Sequence, residues 1–344
     1  MKIWNFGIIG AGLIADFHAK AIQNISNARL IGICGTNQEK AGKLAQKYNC
    51  KVFNTQNELL RSNDIDIVTI ATPSGAHMEP AIEASRFGKH VICEKPLEIS
   101  LDRIDRMIDA HAVAGTKLGG IFNFRYHDTL PHLKSAVDSG RFGTITFASI
   151  HVPWWRNESY YKDSWHGTLK LDGGGALMNQ SIHMVDILQH LIGPIESLQA
   201  YIATLGHKIE AEDTAAAVIR FKNNALGSIY GTTASFPGQF RRIEITGTKG
   251  TVVQAENSFK VWQFADEKES DKEILKKFGQ IEGGGGVSDP GAIPFEPHAR
   301  NITAFIDSIE QDKSFEIDGP EARKAVEIVL AVYKSAKDGK PYIF

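Results

Sequence analysis

The sequence predicts an α/β protein in which an N-terminal, doubly wound parallel sheet is followed by an α+β domain with a large, mostly antiparallel open sheet. Strand-like runs alternate with helical patterns over residues 1–122, whereas strand follows strand from residue 195 to residue 264. Alternation is typical of parallel sheets, and strands joined by short turns are typical of antiparallel ones. The 344 residues exceed the usual size of one domain. We therefore predict two domains, over residues 1–122 and 123–344.

Composition and charge exclude several classes of partner. Hydrophobic residues make up 42% of the chain, charged residues 23%, and the formal net charge is −2. This charge predicts no binding to nucleic acid or to anionic membranes. No apolar run reaches the ~20 residues that cross a bilayer, and the first residues lack a signal-peptide pattern. The three cysteines are widely spaced, which favours a reducing compartment over a disulfide framework or a metal cluster. We expect a cytoplasmic protein without a metal site.

The first predicted strand runs directly into a glycine-rich turn. Residues 10–15 read GAGLIA, and an apolar strand precedes them while a helical pattern follows. Gly10 permits the tight turn, Gly12 lets the backbone approach a pyrophosphate, and the small Ala15 lets helix and strand pack closely. The first N–H groups of the helix can then bind the phosphates. The turn predicts a dinucleotide site that contains Gly10, Gly12, Leu13 and Ile14.

The segments that follow supply the context that this motif requires. Strand-like runs at residues 30–34, 65–71, 90–93 and 117–122 alternate with helical patterns. A glycine motif inside such repeated crossovers is a strong sign of a Rossmann domain, which binds NAD or NADP. Ligands lie at the carboxyl ends of the strands in such sheets. Further cofactor contacts are therefore expected from the turns after the strands, at Gly35, Thr36, Asn37, Thr72, Pro73, Glu94 and Lys95.

The turn after the second strand bears on the choice of cofactor. An acidic residue there would bind the ribose 2′-hydroxyl of NAD, but Gly35, Thr36 and Asn37 carry no carboxylate. This small polar turn has room for a 2′-phosphate, which Lys40 could neutralise. No arginine marks the site, however, and Lys40 could equally be a solvated helix residue. The sequence leaves both cofactors open, with a slight preference for NADP.

A lysine follows the strand over residues 90–93, in the sequence Glu94-Lys95-Pro96. The carboxyl end of this strand faces the ligand crevice of a doubly wound sheet, so we expect Lys95 to project towards the nicotinamide. The alternative is a solvated surface lysine. Pro96 stiffens the next step of the chain and could follow a cis peptide bond.

A second group of candidate residues lies on a helix predicted after three consecutive glycines. The glycines at residues 173–175 would let the chain pass close to a ligand. Asn179, His183 and Asp186 have the spacing that places residues on one face of an α-helix. The ordinary pKa of histidine lies near neutral pH, which suits proton transfer. The alternative is a buried core histidine that bonds to Asp186.

Taken together, these features resemble the Gfo/Idh/MocA oxidoreductase family over the whole chain. The resemblance rests on residues 10–15, on Glu94-Lys95-Pro96, on the segment from the three glycines to Asp186, and on DGPEAR at residues 318–323. It implies that the enzyme transfers a hydride between a nicotinamide and a secondary alcohol or ketone of a sugar, sugar derivative or polyol. It also implies that Lys95 and His183 are catalytic acid/base groups, and that the C-terminal sheet forms a homodimer or homotetramer.

One position departs from the inositol dehydrogenases of that family. They carry an aspartate four residues before the histidine, where this chain has Asn179. An amide can orient a hydroxyl group but cannot accept its proton. The acid/base role therefore falls on His183 and Lys95, and an inositol becomes a less favoured substrate.

Residues 153–166 are rich in aromatic and polar side chains but have no periodicity. Aromatic faces stack on the C–H surfaces of sugars while polar side chains bind hydroxyl groups, so we predict a carbohydrate-binding loop. An aromatic contact between subunits is the alternative. The predicted substrate contacts here and elsewhere are Asn123, Arg125, Arg156, Tyr161, Trp165, Asn179 and His183.

The rest of the second domain is predicted as a wide sheet with closing helices. Helices can cover one face of this sheet, so the other is expected to pack against a second subunit. Residues 266–294 contain a charge run and four consecutive glycines, which predict a surface loop that is either a lid or passive. Helices are predicted at residues 297–311 and 320–338.

Three functions remain open. The favoured one is the dehydrogenase. The others are a glycosidase that uses tightly bound NAD in a transient redox cycle, and a non-catalytic sensor that binds a dinucleotide. Retention of Lys95 and His183 argues against the sensor, because binding alone needs neither. A free sugar and a nucleotide sugar are both open as substrate. The nucleotide sugar needs an additional phosphate site, and no arginine cluster marks one.

Overall fold

The computed structural model describes residues 2–280 and 294–344, which divide into two compact units. Both units are discontinuous in sequence, because short segments return to the first unit after the chain has left it. The predicted domain boundary between residues 122 and 123 stays a prediction. Within the described residues the first unit contains 2–126, 170–173 and 294–326, and the second contains 127–169, 174–280 and 327–344.

The first unit contains six parallel strands: β1 (Trp4–Ile9), β2 (Ala28–Cys34), β3 (Lys51–Phe53), β4 (Ile67–Ile70), β5 (His90–Glu94) and β6 (Leu118–Ile121). Their order is β3-β2-β1-β4-β5-β6. Every residue of β4 and β6 is buried, as expected for a sheet that is covered on both faces. The strand order reverses at β1, so the carboxyl ends of β1 and β4 form the ligand-binding crevice of a doubly wound sheet. The predicted Rossmann sheet is confirmed.

Five helices connect these strands: α1 (Leu13–Gln23), α2 (Gln38–Tyr48), α3 (Gln56–Arg61), α4 (Met78–Arg86) and α5 (Leu101–Ala114). Three of them begin at a side-chain cap, since Asn37, Thr55 and Ser100 each accept a hydrogen bond from a backbone N–H of the first turn. Such caps satisfy donors that the helix itself leaves unpaired. By contrast, α1 has Gly12 at its N-cap position and therefore no side-chain cap.

The second unit is built on eight strands: β7 (Ile145–Pro153), β8 (Ile195–Ala203), β9 (Thr214–Phe221), β10 (Leu226–Thr232), β11 (Arg242–Gly247), β12 (Gly250–Ala255), β13 (Ser258–Phe264) and β14 (Tyr342–Ile343). Their order is β13-β12-β11-β7-β10-β9-β8-β14. All neighbouring pairs are antiparallel except β7 and β10. Buried and exposed residues alternate along β9, so this part of the sheet packs on one face only. The predicted antiparallel sheet is confirmed.

The helices of this unit correct two predictions. They are α6 (Leu130–Asp138), α7 (Glu158–Tyr161), α8 (Ile182–Ile192) and α9 (Glu269–Phe278). The single α-helix predicted after the glycines is wrong, because a π-helix spans Ala176–Ser181 and α8 begins only at Ile182. The loop predicted at residues 266–294 is wrong where α9 forms. Its four glycines lie outside the described residues.

The charge run forms α9, and side chains from β13 and from the turn before β7 anchor it. Both carboxylate oxygens of Asp271 accept hydrogen bonds from Arg141, at 2.7 Å each. Trp262 donates to the same carboxylate at 2.7 Å, and Phe278 is buried at the end of the helix. A bidentate arginine–carboxylate pair is among the stronger protein hydrogen bonds, and Arg141 lies 130 positions before Asp271.

Two helices close the chain, α10 (Glu296–Glu310) and α11 (Gly319–Asp338). Both match the predicted helices to within a residue. Of the helices that the structure describes, none is long and apolar enough to span a membrane.

Candidate functional site

The glycine-rich turn has the geometry that a dinucleotide site requires. Gly10 has a φ of +121°, and a Cβ there would overlap the carbonyl oxygen of Ala71, so only glycine fits. A Cβ at Gly12 would meet no atom within 4 Å, which leaves its backbone accessible. Because α1 has no side-chain cap, its first N–H groups can bind a phosphate. Leu13 is exposed beside this turn and Ile14 half-buried.

The turn after β2 lies close to the glycine-rich turn, since a Cβ at Gly35 would lie 2.8 Å from the Cβ of Ala11. Thr36, Asn37 and Lys40 are exposed here. Asn37 already has a structural role, because its side chain accepts a hydrogen bond from the N–H of Lys40 at 2.9 Å. A bond from Asn37 to a 2′-phosphate would therefore compete with the cap of α2.

Two further turns predicted to contact the cofactor are joined by a histidine that the sequence reasoning missed. His77 is buried, and its ring nitrogens lie 2.9 Å from the carbonyl oxygens of Thr72 and Pro96. It therefore links the turn at Thr72 and Pro73, after β4, to the turn after β5. Burial lowers the pKa of His77, so the ring is neutral near pH 7 and donates to one of the two carbonyls.

At the end of β5 lies a buried carboxylate. The Glu94 side chain is 8% exposed, and its Oε1 lies 2.9 Å from His18 Nε2 and 3.6 Å from His298 Nε2. Burial by itself would raise the pKa of Glu94, but the hydrogen bonds and charge interactions with the two histidines hold it well below its ordinary value. Glu94 is therefore ionised, and the cofactor contact predicted for it stays a prediction.

Lys95 follows directly and is half-buried. Its backbone N–H donates to Glu94 Oε2 at 3.1 Å, and the bond between Lys95 and Pro96 is cis. The structure thus places Lys95 at the carboxyl end of β5, the edge at which doubly wound sheets bind their ligands.

The segment after β6 contributes two of the predicted substrate residues. Asn123 is buried and its Nδ2 lies 3.3 Å from His298 Nδ1. Arg125 is buried and forms an ion pair of 2.8 Å with Glu321, within the sequence DGPEAR that marks the family resemblance. Burial raises the pKa of Glu321, but bonds from Lys324 and Arg125 leave it below its ordinary value. Substrate contacts for Asn123 and Arg125 stay predictions.

In the second unit, the glycines before the π-helix are required by the protein's own packing. A Cβ at Gly174 would overlap the hydroxyl group of Tyr333, and one at Gly175 would overlap the carbonyl oxygen of Glu212. The sequence predicts that these glycines let the chain pass close to a ligand. At these two positions they make room for neighbouring residues of the same unit.

Glu212 holds the start of the π-helix and was not predicted as a site residue. Its carboxylate accepts hydrogen bonds from the N–H groups of Gly175 and Leu177 and from the Tyr333 hydroxyl group, at 2.8–3.0 Å. Burial is the largest effect and raises the pKa of Glu212 to about 7. An available signal was the acidic pair Glu212-Asp213 directly before β9, because acidic residues next to a core strand are rarely buried without partners.

The π-helix changes the geometry predicted for Asn179 and His183. Asn179 lies in the π-helix and His183 in the first turn of α8, so α-helical spacing does not apply across the junction. Both side chains are half-buried, whereas Asp186 is buried. π-Helical segments are rare and occur frequently at functional sites. Proton transfer by His183 and a substrate contact by Asn179 stay predictions.

The aromatic segment over residues 153–166 is packed against itself. The ring of His166 stacks on Trp165 at 4.1 Å and on Tyr160 at 4.2 Å between centroids. The Arg156 guanidinium lies 5.0 Å from the centre of the Trp154 ring, at a distance that allows a cation–π interaction. The side chains of the segment therefore pack against one another.

His207 contacts this segment, and Asp213 holds the backbone around His207. His207 Nε2 lies 2.8 Å from the carbonyl oxygen of Arg156, and its ring lies 4.9 Å from that of Tyr161. Asp213 accepts hydrogen bonds from the backbone N–H groups of residues 205–207. Tyr161 also donates to Thr233 at 2.8 Å. Arg156, Tyr161 and Trp165 thus share one aromatic cluster, while their predicted contacts with a sugar stay predictions.

The fold and the glycine-rich turn define an oxidoreductase with an NAD-binding Rossmann domain, and comparison with known proteins gives the family. The profile of the oxidoreductase family with an NAD-binding Rossmann fold matches residues 4–120, and that of the GFO/IDH/MocA C-terminal domain matches residues 131–253. The chain belongs to the Gfo/Idh/MocA oxidoreductase family. The predicted family and the predicted enzyme class, a nicotinamide-dependent oxidoreductase of CH–OH groups, are confirmed.

Individual relatives cover most or all of the chain. It is 27% identical to the inositol 2-dehydrogenase of Rhizobium meliloti, over 97% of both chains. It is 29% identical to the myo-inositol 2-dehydrogenase of Thermotoga maritima, over 72% of this chain and 73% of that one. Among solved structures, the WlbA dehydrogenase of Bordetella pertussis in complex with NADH and UDP-GlcNAcA is 34% identical, with a TM-score of 0.90 over all of this chain and 98% of that one. These relatives support NAD(H) as cofactor; the predicted preference for NADP is not confirmed.

Proposed function

We propose that this chain is an NAD-dependent dehydrogenase that oxidises a secondary hydroxyl group of a sugar, a sugar derivative or a polyol, or reduces the corresponding ketone. The observation that carries the proposal is the end-to-end similarity, at 34% identity, to a dehydrogenase in complex with NADH and a nucleotide sugar. The accessible backbone at Gly12 and the uncapped start of α1 fit the pyrophosphate of such a cofactor.

Lys95 and His183 supply the acid/base groups of this proposal. When bound, the nicotinamide cofactor would accept or return the hydride. A secondary alcohol must lose its hydroxyl proton as it is oxidised, and a histidine or a lysine can take that proton if its pKa lies near the working pH. We assign this acid/base task to His183 and Lys95.

Within this class we propose a nucleotide sugar with a carboxylate as the first substrate to test. Two WlbA dehydrogenases in complex with NADH and UDP-GlcNAcA match the whole chain at 34% and 32% identity, each with a TM-score of 0.90. Asn179 stands where inositol dehydrogenases carry an aspartate, which disfavours an inositol. Arg156, in the aromatic segment, is a candidate partner for an anionic group of the substrate.

We also propose a homodimer or homotetramer formed through the open face of the eight-stranded sheet. Tyr201, Val218 and Leu226 are exposed on neighbouring strands of this face. Large apolar side chains that project from one sheet face are typical of a protein–protein contact. Sedimentation velocity would show the assembly, and Val218→Arg should shift it towards the monomer. A cytoplasmic location stays a prediction.

The test is turnover by the purified protein. The protein as isolated would first be examined for bound dinucleotide. It would then be mixed with NAD or NADP and with UDP-GlcNAcA, free sugars or polyols, while the absorbance of the reduced nicotinamide is followed. Growth of that band with one substrate, and its loss in Lys95→Ala, supports the proposal and decides the cofactor. Tightly bound cofactor without net reduction contradicts it and favours the glycosidase or the sensor.

A further inference from the structure

A buried cluster in the first unit joins three elements behind the turn that carries Lys95. It consists of His18 on α1, Glu94 at the end of β5 and His298 on α10. One atom from each side chain lies within 4.8 Å of the others, and the three side chains are 0%, 8% and 7% exposed. A carboxylate this deeply buried is stable only when its charge is well hydrogen-bonded.

Because the ionised carboxylate of Glu94 can only accept hydrogen bonds, the ring nitrogens that face it carry protons. Asn123 Nδ2 is a donor, so His298 Nδ1 accepts at 3.3 Å and the proton lies on the nitrogen that faces Glu94. Thr69 Oγ1 lies 2.7 Å from His18 Nδ1. A neutral His18 that accepts this hydroxyl proton likewise directs its Nε2–H at Glu94, at 2.9 Å. Both rings therefore present a donor to one carboxylate oxygen.

The other carboxylate oxygen connects the cluster to Lys95. Glu94 Oε2 accepts the backbone N–H of Lys95 at 3.1 Å. One residue further on, His77 lies 2.9 Å from the carbonyl oxygen of Pro96. The backbone at Lys95 and Pro96 is thus bonded at two points to buried side chains of the first unit. Glu94 contributes a fixed negative charge to this turn in addition to the hydrogen bond.

We propose that His18, Glu94 and His298 are positioning residues for Lys95. The two histidines hold the carboxylate of Glu94 in place, and the carboxylate fixes the backbone of Lys95. Because the inference assigns a task to Lys95, it rests on the proposed function. Errors of an ångström in the position of a catalytic group reduce rates by about 100-fold, so the cluster matters for turnover even though it touches no substrate.

The experiment compares variants of the cluster with a matched control. Glu94→Gln preserves shape but removes the charge, and Thr69→Val is a milder change that frees the ring of His18. His111→Gln is the control, because His111 is equally buried in the first unit but bonds to Thr116 and to the carbonyl oxygen of Ala81. Thermal unfolding of each variant shows whether a lower kcat comes from lost stability or from a displaced Lys95.

We expect the kcat of Glu94→Gln to fall about 10- to 100-fold, with the KM for NAD within about threefold of the wild type. The kcat of Thr69→Val should fall about three- to tenfold. The pH profile of this kcat should shift in the same direction as that of Glu94→Gln. His111→Gln should lose thermal stability and keep its kcat. If Glu94→Gln and Thr69→Val lose no more kcat than His111→Gln, the positioning role is refuted.

A second measurement needs no turnover. In protein labelled with ε-¹³C lysine, the Lys95 resonance is assigned by its loss in Lys95→Ala. The inference requires this resonance to move in Glu94→Gln and in Thr69→Val, and to stay in place in His111→Gln. Such a movement without turnover on any sugar would refute the proposed function and support the positioning role. An unmoved resonance would refute the positioning role, as would a stoichiometric metal ion that is lost in His18→Gln.

Discussion

Two buried glutamates, one in each compact unit, show opposite responses to their surroundings. As whole residues, Glu94 is 6% exposed and Glu212 is 5% exposed. Burial therefore disfavours the charge of both to a similar degree. The pKa of Glu94 nevertheless lies well below its ordinary value, whereas the pKa of Glu212 is raised to about 7. Burial alone therefore does not decide whether a glutamate in this protein is ionised.

The difference lies in the partners. His18 and His298 direct imidazole groups at Glu94, and their hydrogen bonds and charge interactions lower its pKa. Glu212 accepts hydrogen bonds only from backbone and hydroxyl donors among the bonds described above, namely two backbone N–H groups and Tyr333. Neutral donors therefore offset only part of the cost of burying the Glu212 charge.

Both glutamates also hold the backbone close to a residue that we propose to be catalytic. Glu94 bonds to Lys95 itself, and Glu212 bonds to the turn that leads through the π-helix to His183. Near pH 7 Glu94 is thus an anionic support, whereas the pKa of Glu212 lies near neutral pH.

The largest effects on kcat are expected at Lys95 and His183. Lys95→Ala and His183→Ala should each lower kcat by about 10²- to 10⁴-fold, because acid/base groups contribute this much. The dissociation constant for NADH, measured by fluorescence, should stay within about threefold. Lys43→Ala on α2 and His190→Ala on α8 are matched controls. A variant at Lys95 or His183 that keeps the wild-type kcat would remove that residue from the mechanism.

Glu94→Gln should lower the free energy of unfolding at pH 7 by about 2–4 kcal/mol, because hydrogen bonds to a buried charge are lost. The folded-state pKa of Glu94 is depressed, so its contribution is complete above the ordinary value of 4.5 and is lost as the pH falls further. Urea unfolding at pH 7 and at pH 3.5 measures this. A deficit that stays the same at both pH values would mean that Glu94 is not held as an anion.

Glu212→Gln should change the pH dependence with the opposite sign. The folded-state pKa is raised from 4.5 to about 7, so the folded state binds the extra proton in this window. The wild type should lose up to about 3 kcal/mol of stability as the pH rises through it. The variant should lack this slope, so the stability gap between the two proteins should narrow from pH 5 to pH 8. Parallel curves for both proteins would contradict the raised pKa.

Tyr333→Phe should have the smallest effect, a loss of about 1 kcal/mol, because one neutral hydrogen bond to Glu212 disappears. Urea unfolding at pH 5 detects this change. A loss of several kcal/mol would show that Tyr333 does more than donate to Glu212. Tyr342→Phe, on β14, serves as the control for loss of a tyrosine hydroxyl group.

Much of the architecture was predictable because the relevant signals are local. The strands of both sheets, the tight turn at Gly10 and the helices α10 and α11 follow from periodicity, turn chemistry and caps. The side chain of Asn37 illustrates the limit of such signals. The sequence predicts that it contacts the cofactor, which stays a prediction, and it does not reveal that the side chain also caps α2.

The parts that were not predicted depend on contacts between distant residues. His18 and Glu94 are separated by 76 positions, and no pattern within either segment reveals that they meet. The π-helix depends on glycines that accommodate Tyr333 and Glu212, which come much later in the chain. The helix α9 depends on the anchor between Arg141 and Asp271, 130 positions apart.

The sequence by itself determined the family, the doubly wound sheet and the identity of Lys95 and His183 as candidates for the chemistry. These depend on short motifs whose residues are neighbours along the chain, and local backbone physics constrains them directly. Only the tertiary structure decided which glutamate is ionised and which turn each one supports. A pKa depends on burial and on the nearest donors, and in a folded chain these come from segments that the linear order keeps apart.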